Sequence, residues 1–252
     1  DGNGALKSHR PHWRSWQKII MFFTIDERLF SLFPALQVGV VVCEIDNIRY
    51  GEDGLEDVVD GLTVHFSFER PQDHPNIKAW REAYKKMGMS LTKYPSSLES
   101  LLRRALKGGP FPRFNPIVDL CNAMSLKYLV PIGGHAINGI DGDIRLTFAD
   151  GTETFVPMDM GEQETVQKGE VIYRDDREAL TRRWIWKQSN KDTIESETTR
   201  AALTVHVMDG LPLWLCEQVV KDLVESILVN EYGRIIHRDI LTVTKQQTEF
   251  TA

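Results

Sequence analysis

A chain of 252 residues, 42% apolar and 26% charged, is long enough to sustain a core of its own, and its composition demands neither disulfides nor a membrane span. A formal net charge of -6 excludes a protein that coats nucleic acid by bulk electrostatics, because such binding rests on many lysine and arginine contacts to phosphate; only a local basic patch remains open. Cys43, Cys121 and Cys216 lie far apart among apolar neighbours, so no disulfide framework or metal knuckle is expected, and the expected setting is a reducing cytoplasm with no cofactor or metal.

Residues 1–20 carry Lys7, Arg10, Arg14 and Lys18 against Asp1 alone and show no amphipathic period. They are expected to be an appended or mis-started extension, disordered or without a fixed fold; the alternative is a basic arm that grips RNA with Trp13 and Trp16. One domain is expected over residues 21–230, with 231–252 as a terminal strand or tail.

MFFTIDERLFSLFPAL reads as a strand and a short helix, and LQVGVVVCEI (36–45) as a buried β-branched strand. DHPNIKAWREAYKKMG switches to helical spacing, with Ile77, Trp80, Tyr84 and Met87 on one stripe, Pro75 near its start and Gly88 as its stop. Ser96 to Lys107 predicts a second helix, opened by a Ser96/Glu99 capping box and closed by Gly108, with Arg103, Arg104 and Lys107 on its polar side. Asn115 and Pro116 open a third, whose core face is Ile117, Leu120, Cys121 and Met124 and whose polar face is Asn115, Asp119 and Asn122.

PIGGHAINGIDGD then reads as a glycine-rich turn, and DIRLTF and ETFV as strands joined by an Asp150-Gly151 hairpin. Strands are expected at EVIY, TRRWIWKQ and ALTVHV before a last amphipathic helix marked by Leu215, Val219, Leu223 and Ile227. Helices and strands mix without regular βαβ alternation, which predicts one α+β domain around a central, barrel-like mixed sheet. No nucleophile elbow, phosphate loop, dinucleotide fingerprint or H-E-x-x-H helix occurs.

Two readings of the polar segments stay open. PIGGHAING supplies backbone amides that can approach a ligand, or simply turns the chain. His135 within it is a possible base or an ordinary loop histidine. In RRWIWKQSNKDT, period-two alternation places Arg182, Trp184, Trp186 and Gln188 on one face and Arg183, Ile185 and Lys187 on the other, as pocket lining or as core beside a charged edge.

Taken together, IKAWREAYKKMG, SSLESLLRRALKGGPFPRFNPIVDLCNAMSLKY, VPIGGHAINGIDGD, GEVIYRDD and RRWIWKQSNKDTIESETT resemble the B3/B4 editing domain of the phenylalanyl-tRNA synthetase beta subunit, and more closely its freestanding relatives. The resemblance runs in order from about Met21 to Leu228. It implies a barrel-like fold whose pocket receives the 3′ end of an aminoacyl-tRNA and hydrolyses the ester of a mischarged one. In place of the synthetase histidine two residues after the proline, here Pro131, this chain has Gly133, and in place of a glutamate segment it reads QSNKDT. The alternative is a noncatalytic tRNA or amino-acid binding module that kept the pocket. On this resemblance Asn122, Gly133, Gly134 and Gln188 are the expected catalytic groups, and Arg113, Asn115, His135, Arg183, Trp186 and Ser189 are expected to bind substrate. Arg103, Arg104 and Lys107 are expected to hold tRNA phosphates.

Overall fold

The computed structural model describes residues 19–46 and 54–252. The basic residues and tryptophans of the opening segment therefore lie outside the described residues. The chain begins with strand β1 (Ile20–Ile25), helix α1 (Glu27–Leu32) and strand β2 (Gln37–Ile45). Asp26 caps α1 by accepting from the Arg28 amide. A helix that the spacing did not reveal, α2 (Leu55–His65), follows; it buries only Leu55 and Val59.

The three helices read from periodicity come next. They are α3 (Pro75–Lys86), α4 (Ser97–Lys107) and α5 (Pro116–Tyr128). Pro75 and Pro116 occupy first-turn positions, Ser96 accepts from the Glu99 amide, and Asn115 accepts from the Val118 amide. The capping box is half made: the buried Glu99 carboxylate goes to Arg81 (2.9 Å) and Arg103 (2.7 Å), tying α3 to α4. β3 (Ile132–Ala136), β4 (Ile144–Phe148), β5 (Thr154–Phe155), β6 (Glu164–Thr165), β7 (Val171–Arg174), β8 (Thr181–Arg182), β9 (Lys187–Gln188) and β10 (Arg200–Val207) follow, then α6 (Trp214–Val229), β11 (Gly233–Leu241) and β12 (Gln247–Thr251).

The class is α+β, as expected, but the central sheet is divided. One four-stranded sheet runs β12-β1-β4-β7 and a second runs β11-β2-β10-β3, with no closed barrel among the described residues. The segment 231–252 is a structural part of both: β11 pairs with β2 and β12 with β1, so the last two strands bridge the sheets. Ile20 likewise belongs to β1, opposite Thr251.

Alternation along β2 sets the layering. Val38, Val40 and Val42 point into the core shared with the first sheet, α3 and α4, while Val41 and Cys43 point into a second core against α5 and α6. The second sheet is therefore covered on both faces, which is why β2 reads as a continuous apolar run.

Three local expectations are corrected. PIGGHA is strand β3 rather than a turn, because its backbone pairs with β10 from Ile132↔Val205 to Ala136↔Ala201. The Asp150-Gly151 turn joins no hairpin: Glu153 takes the amides of Asp150 and Gly151, and β5 pairs with β6 instead of β4. TRRWIWKQ is a hairpin and not one strand, since Arg182 pairs with Lys187 across a loop whose Arg183 and Trp184 have φ of 49° and 64°.

Left-handed backbone at two bulky residues is unfavourable by about 1–2 kcal/mol each and must be held from outside. Tyr84 on α3 donates to the Arg183 carbonyl at 2.9 Å, the Trp184 amide donates to Val171 at 2.6 Å, and the Ser97 amide donates to Ile185 at 2.8 Å. Tyr84→Phe would leave that carbonyl with the Ile185 amide, at 2.9 Å, as its donor and remove the tie to α3, so it is expected to lower unfolding stability by about 0.5–1.5 kcal/mol. Denaturant unfolding reads this directly, and a variant as stable as the parent would mean that the loop does not depend on the bond.

Candidate functional site

A cavity of about 90 Å³ opens where the inner face of the second sheet meets the β8–β9 hairpin. Its sheet wall follows from register. Gly133 pairs with Thr204 and His135 lies two residues further on the same side of β3, so Gly133, His135, Thr204 and His206 share the cavity face. Gly134 faces the other way, where a Cβ would sit 2.6 Å from Ile194 Cδ1 and 2.9 Å from Leu203 Cδ2. A Cβ on Gly133 would meet only Thr204 Oγ1, at 3.7 Å.

His135 Nδ1 lies 2.5 Å from Asp192 Oδ2, and the two side chains are 3% and 0% exposed. Burial raises the Asp192 carboxyl above its ordinary range, opposed by the bond to His135. The loop that carries Asp192 is fastened on each side. Lys191 Nζ reaches Asp175 (2.5 Å), Asp141 (2.8 Å) and Glu178 (3.1 Å). The Asp192 carbonyl accepts from the Ala136 amide and the Ile194 carbonyl from Asn115 Nδ2, both at 2.9 Å. A Cβ at Gly139 would fall 2.2 Å from the Lys191 carbonyl oxygen, so only glycine permits this approach. Gln188 Nε2 donates to the Gly134 carbonyl at 2.7 Å and lies 3.3 Å from Asp192 Oδ2.

Behind the dyad runs a second polar chain. Tyr173 Oη donates to His206 Nε2 at 2.7 Å, and His206 Nδ1 faces the Pro131 carbonyl at 3.4 Å, which fixes the neutral Nδ1–H tautomer. Burial among Trp80, Trp184 and Tyr173 pushes His206 down to about 3 and the Tyr173 phenol up. The Tyr173 ring also lies against His135, with centroids 4.8 Å apart.

The hairpin wall rests on Glu170. Its buried carboxylate binds Arg182 through Nε (2.6 Å) and Nη2 (2.9 Å) and accepts from the Arg183 amide at 2.9 Å. Trp184 is thereby driven into the core, fully buried, and Trp186 is left half-buried at the cavity mouth, edge-on to Tyr94 at 4.7 Å.

Of the residues expected from sequence, Gly133, Gly134, His135, Trp186 and Gln188 line this cavity. The structure brings Asn122, Arg113, Asn115, Arg183 and Ser189 elsewhere. Asn115 caps α5 and holds Ile194; the Ser189 hydroxyl accepts from the Lys191 amide at 3.1 Å. Arg113 pairs with buried Asp119 at 2.8 Å, and the polar face of α5 is turned inward at Asn115 and Asp119. The Arg183 guanidinium stacks 3.7 Å above the Tyr94 ring. Arg103 is engaged by Glu99, while Arg104 and Lys107 are exposed on α4. Sequence reasoning missed Asp192, Tyr173, Thr181, Thr204 and His206. Only the two-residue spacing of Thr204 and His206 on one strand face could have drawn attention to them.

A family model described as B3/4 domain matches residues 79–212, which contain every group of the site. Among solved structures the chain is similar to an N-terminal fragment of the phenylalanyl-tRNA synthetase beta-subunit from Pyrococcus horikoshii, with TM-score 0.46 and 14% identity over 84% of this chain. The chain spans about half of that fragment, 49% of its length. No curated protein matches.

Two measurements check this geometry. Gly133→Ala is expected to fold with stability close to the parent, whereas Gly134→Ala overpacks the second core and costs about 1–3 kcal/mol; equal melting temperatures for the two would contradict the facing derived from register. For His206, the folded pKa lies below the unfolded value, so the unfolded chain binds the extra proton and stability falls as pH drops below about 6.5 toward 3. Between pH 7 and pH 5 this group alone removes about 2 kcal/mol. Unfolding free energies at the two pH values should therefore differ by less in His206→Asn than in the parent.

Proposed function

The chain belongs to the B3/4 domain family, and from that premise we propose that it binds tRNA and hydrolyses the ester of a mischarged aminoacyl-tRNA. The observation that carries the reading is the buried His135–Asp192 pair at the wall of a small cavity. Asp192 accepts the Nδ1 proton and orients the ring, so that Nε2 is the basic nitrogen presented to substrate. His135 Nε2 takes a proton from a water whose oxygen attacks the ester carbonyl carbon. The tetrahedral intermediate then expels the ribose oxygen, which recovers the proton from the imidazolium.

The expected glycine amides divide in this reading. Ile132 and Ala136 turn their amides away from β10, to Ser125 Oγ and the Asp192 carbonyl, so alternation turns Gly134 the same way and commits the Gly133 main chain to the ladder. The Gly134 amide is thus the edge donor suited to the developing oxyanion. Gln188 commits its nitrogen to Gly134 and Asp192 and keeps its amide oxygen as an acceptor for the substrate's ammonium group.

Recognition of the nucleic acid is confined, as the net charge requires. Ser97 at the start of α4 lines the cavity, and Arg103, Arg104 and Lys107 lie about 9–15 Å further along the same helix at 1.5 Å per residue. That span suits the backbone leading into a bound 3′ end. Asn122, which lies outside the cavity, has no part in the step.

A panel of purified aminoacyl-tRNAs, scored for ester loss over the spontaneous rate, tests the proposal. His135→Ala is expected to lower the accelerated rate by about 10²-fold or more. Asp192→Asn should do likewise, since an amide facing Nδ1 reverses the tautomer and places the proton on Nε2. Tight binding of charged tRNA with no turnover across the panel would instead establish a binding module.

A further inference from the structure

Resting on the proposed hydrolytic reading, we propose that Trp186 sets the upper size of the acyl side chain. The site would then take esters of small amino acids, with one to three heavy atoms beyond the α-carbon, and refuse aromatic ones. The cavity measures about 90 Å³, whereas a pocket that accommodates a benzene ring in a protein core is on the order of 150 Å³. A side chain seated beside His135 must share that room with the attacking water.

Most walls cannot yield. Trp184 is fully buried and packs edge-on against Trp80 (5.1 Å) and His206 (6.2 Å) and tilted against Phe33 (6.0 Å). Tyr173 is fastened to His206, and the sheet wall at Gly133 is backbone. Displacing any of these would break the main core or the second sheet. Trp186 differs in kind. Its ring is half-buried at the mouth, stays outside both large cores, and is retained by the edge contact with Tyr94 and by Lys187 at 5.9 Å over its face.

Chemistry narrows the class further. The Thr204 hydroxyl stands in the wall opposite Gly133. A wall that sets this hydroxyl beside aromatic rings offers a hydrogen-bond partner to a substrate hydroxyl and a contact surface to a methyl, so polarity does not separate the small side chains. Alanyl, seryl and threonyl esters therefore form one group by size, and phenylalanyl and tyrosyl esters the excluded one.

The test separates size from catalysis. Binding of 3′-deoxy-3′-(L-alanylamino)adenosine and of its L-phenylalanyl counterpart, neither of which can be hydrolysed as an ester, is measured by calorimetry on the full chain. The parent is expected to bind the alanyl compound at least about tenfold tighter. Trp186→Ala should narrow or reverse that ratio, with Trp186→Phe between the two; thermal melts confirm that each variant is folded, and Trp186→Phe carries the comparison if the alanine variant is not. Equal binding of the two compounds by the parent, no binding of either, or a ratio unmoved in the folded variants overturns the size limit. A size preference without ester cleavage in the tRNA panel would remove the hydrolase and leave the size rule standing, and cleavage without a size preference would do the reverse.

Discussion

One buried carboxylate, Glu170, sets the position of the hairpin on which the cavity depends. It immediately precedes β7, closes a two-bond fork with Arg182 and holds the Arg183 amide, all within the interior. Removing one partner of such a pair costs about 3–5 kcal/mol, because the other charge is left buried alone. That cost is of the same order as the strain of two left-handed residues at Arg183 and Trp184, about 2–4 kcal/mol together. The tight turn sends consecutive tryptophans to different fates, Trp184 into the core and Trp186 to the mouth. A simple extended strand would have kept both on one face and left no cavity between hairpin and sheet.

The other wall depends on the second sheet being covered on both faces. α5 and α6 occupy one side through Ile117, Leu120, Val219 and Leu223, so the opposite side of β3 and β10 is free to carry polar groups inward. Thr204 and His206 are affordable there only because each is satisfied locally, His206 by Tyr173 and the Pro131 carbonyl. The two glycines of β3 serve different ends. Gly134 admits Ile194 and Leu203 on the core side, and Gly133 leaves the cavity side open.

Helices were legible in the sequence wherever a cap, a proline and an apolar stripe coincided, as at Ser96, Pro75 and Asn115. α2 was not, having only two buried residues to mark its face. β3 was read as a turn because two adjacent glycines look like turn residues until a partner strand is known. Of the site, His135 and the hairpin carried visible signals. Asp192 carries none: its placement depends on a loop held by Asn115, Gly139, Asp141 and Asp175, residues distant in sequence whose contacts no local pattern encodes. Asn115 and Ser189, which the sequence offers as substrate-binding residues, do not line the cavity, and their side chains hydrogen-bond the loop that carries Asp192.

The energetics of that carboxylate connect the fold to the chemistry. Asp192 is fully buried, and its Oδ1 has no hydrogen-bond partner among the described residues, so only Oδ2 of the carboxyl group is hydrogen-bonded. Gln188 at 3.3 Å is a weak donor to that oxygen; His135 at 2.5 Å is the strong one. An under-satisfied buried anion binds its one good donor tightly, because losing that bond would return the full cost of burial. The imidazole is thus held with Nδ1–H toward Asp192, and the tautomer that results leaves Nε2 without its proton. The incomplete hydrogen bonding of Asp192 therefore fastens the His135 ring through one short contact, and that contact sets which ring nitrogen is turned toward the cavity.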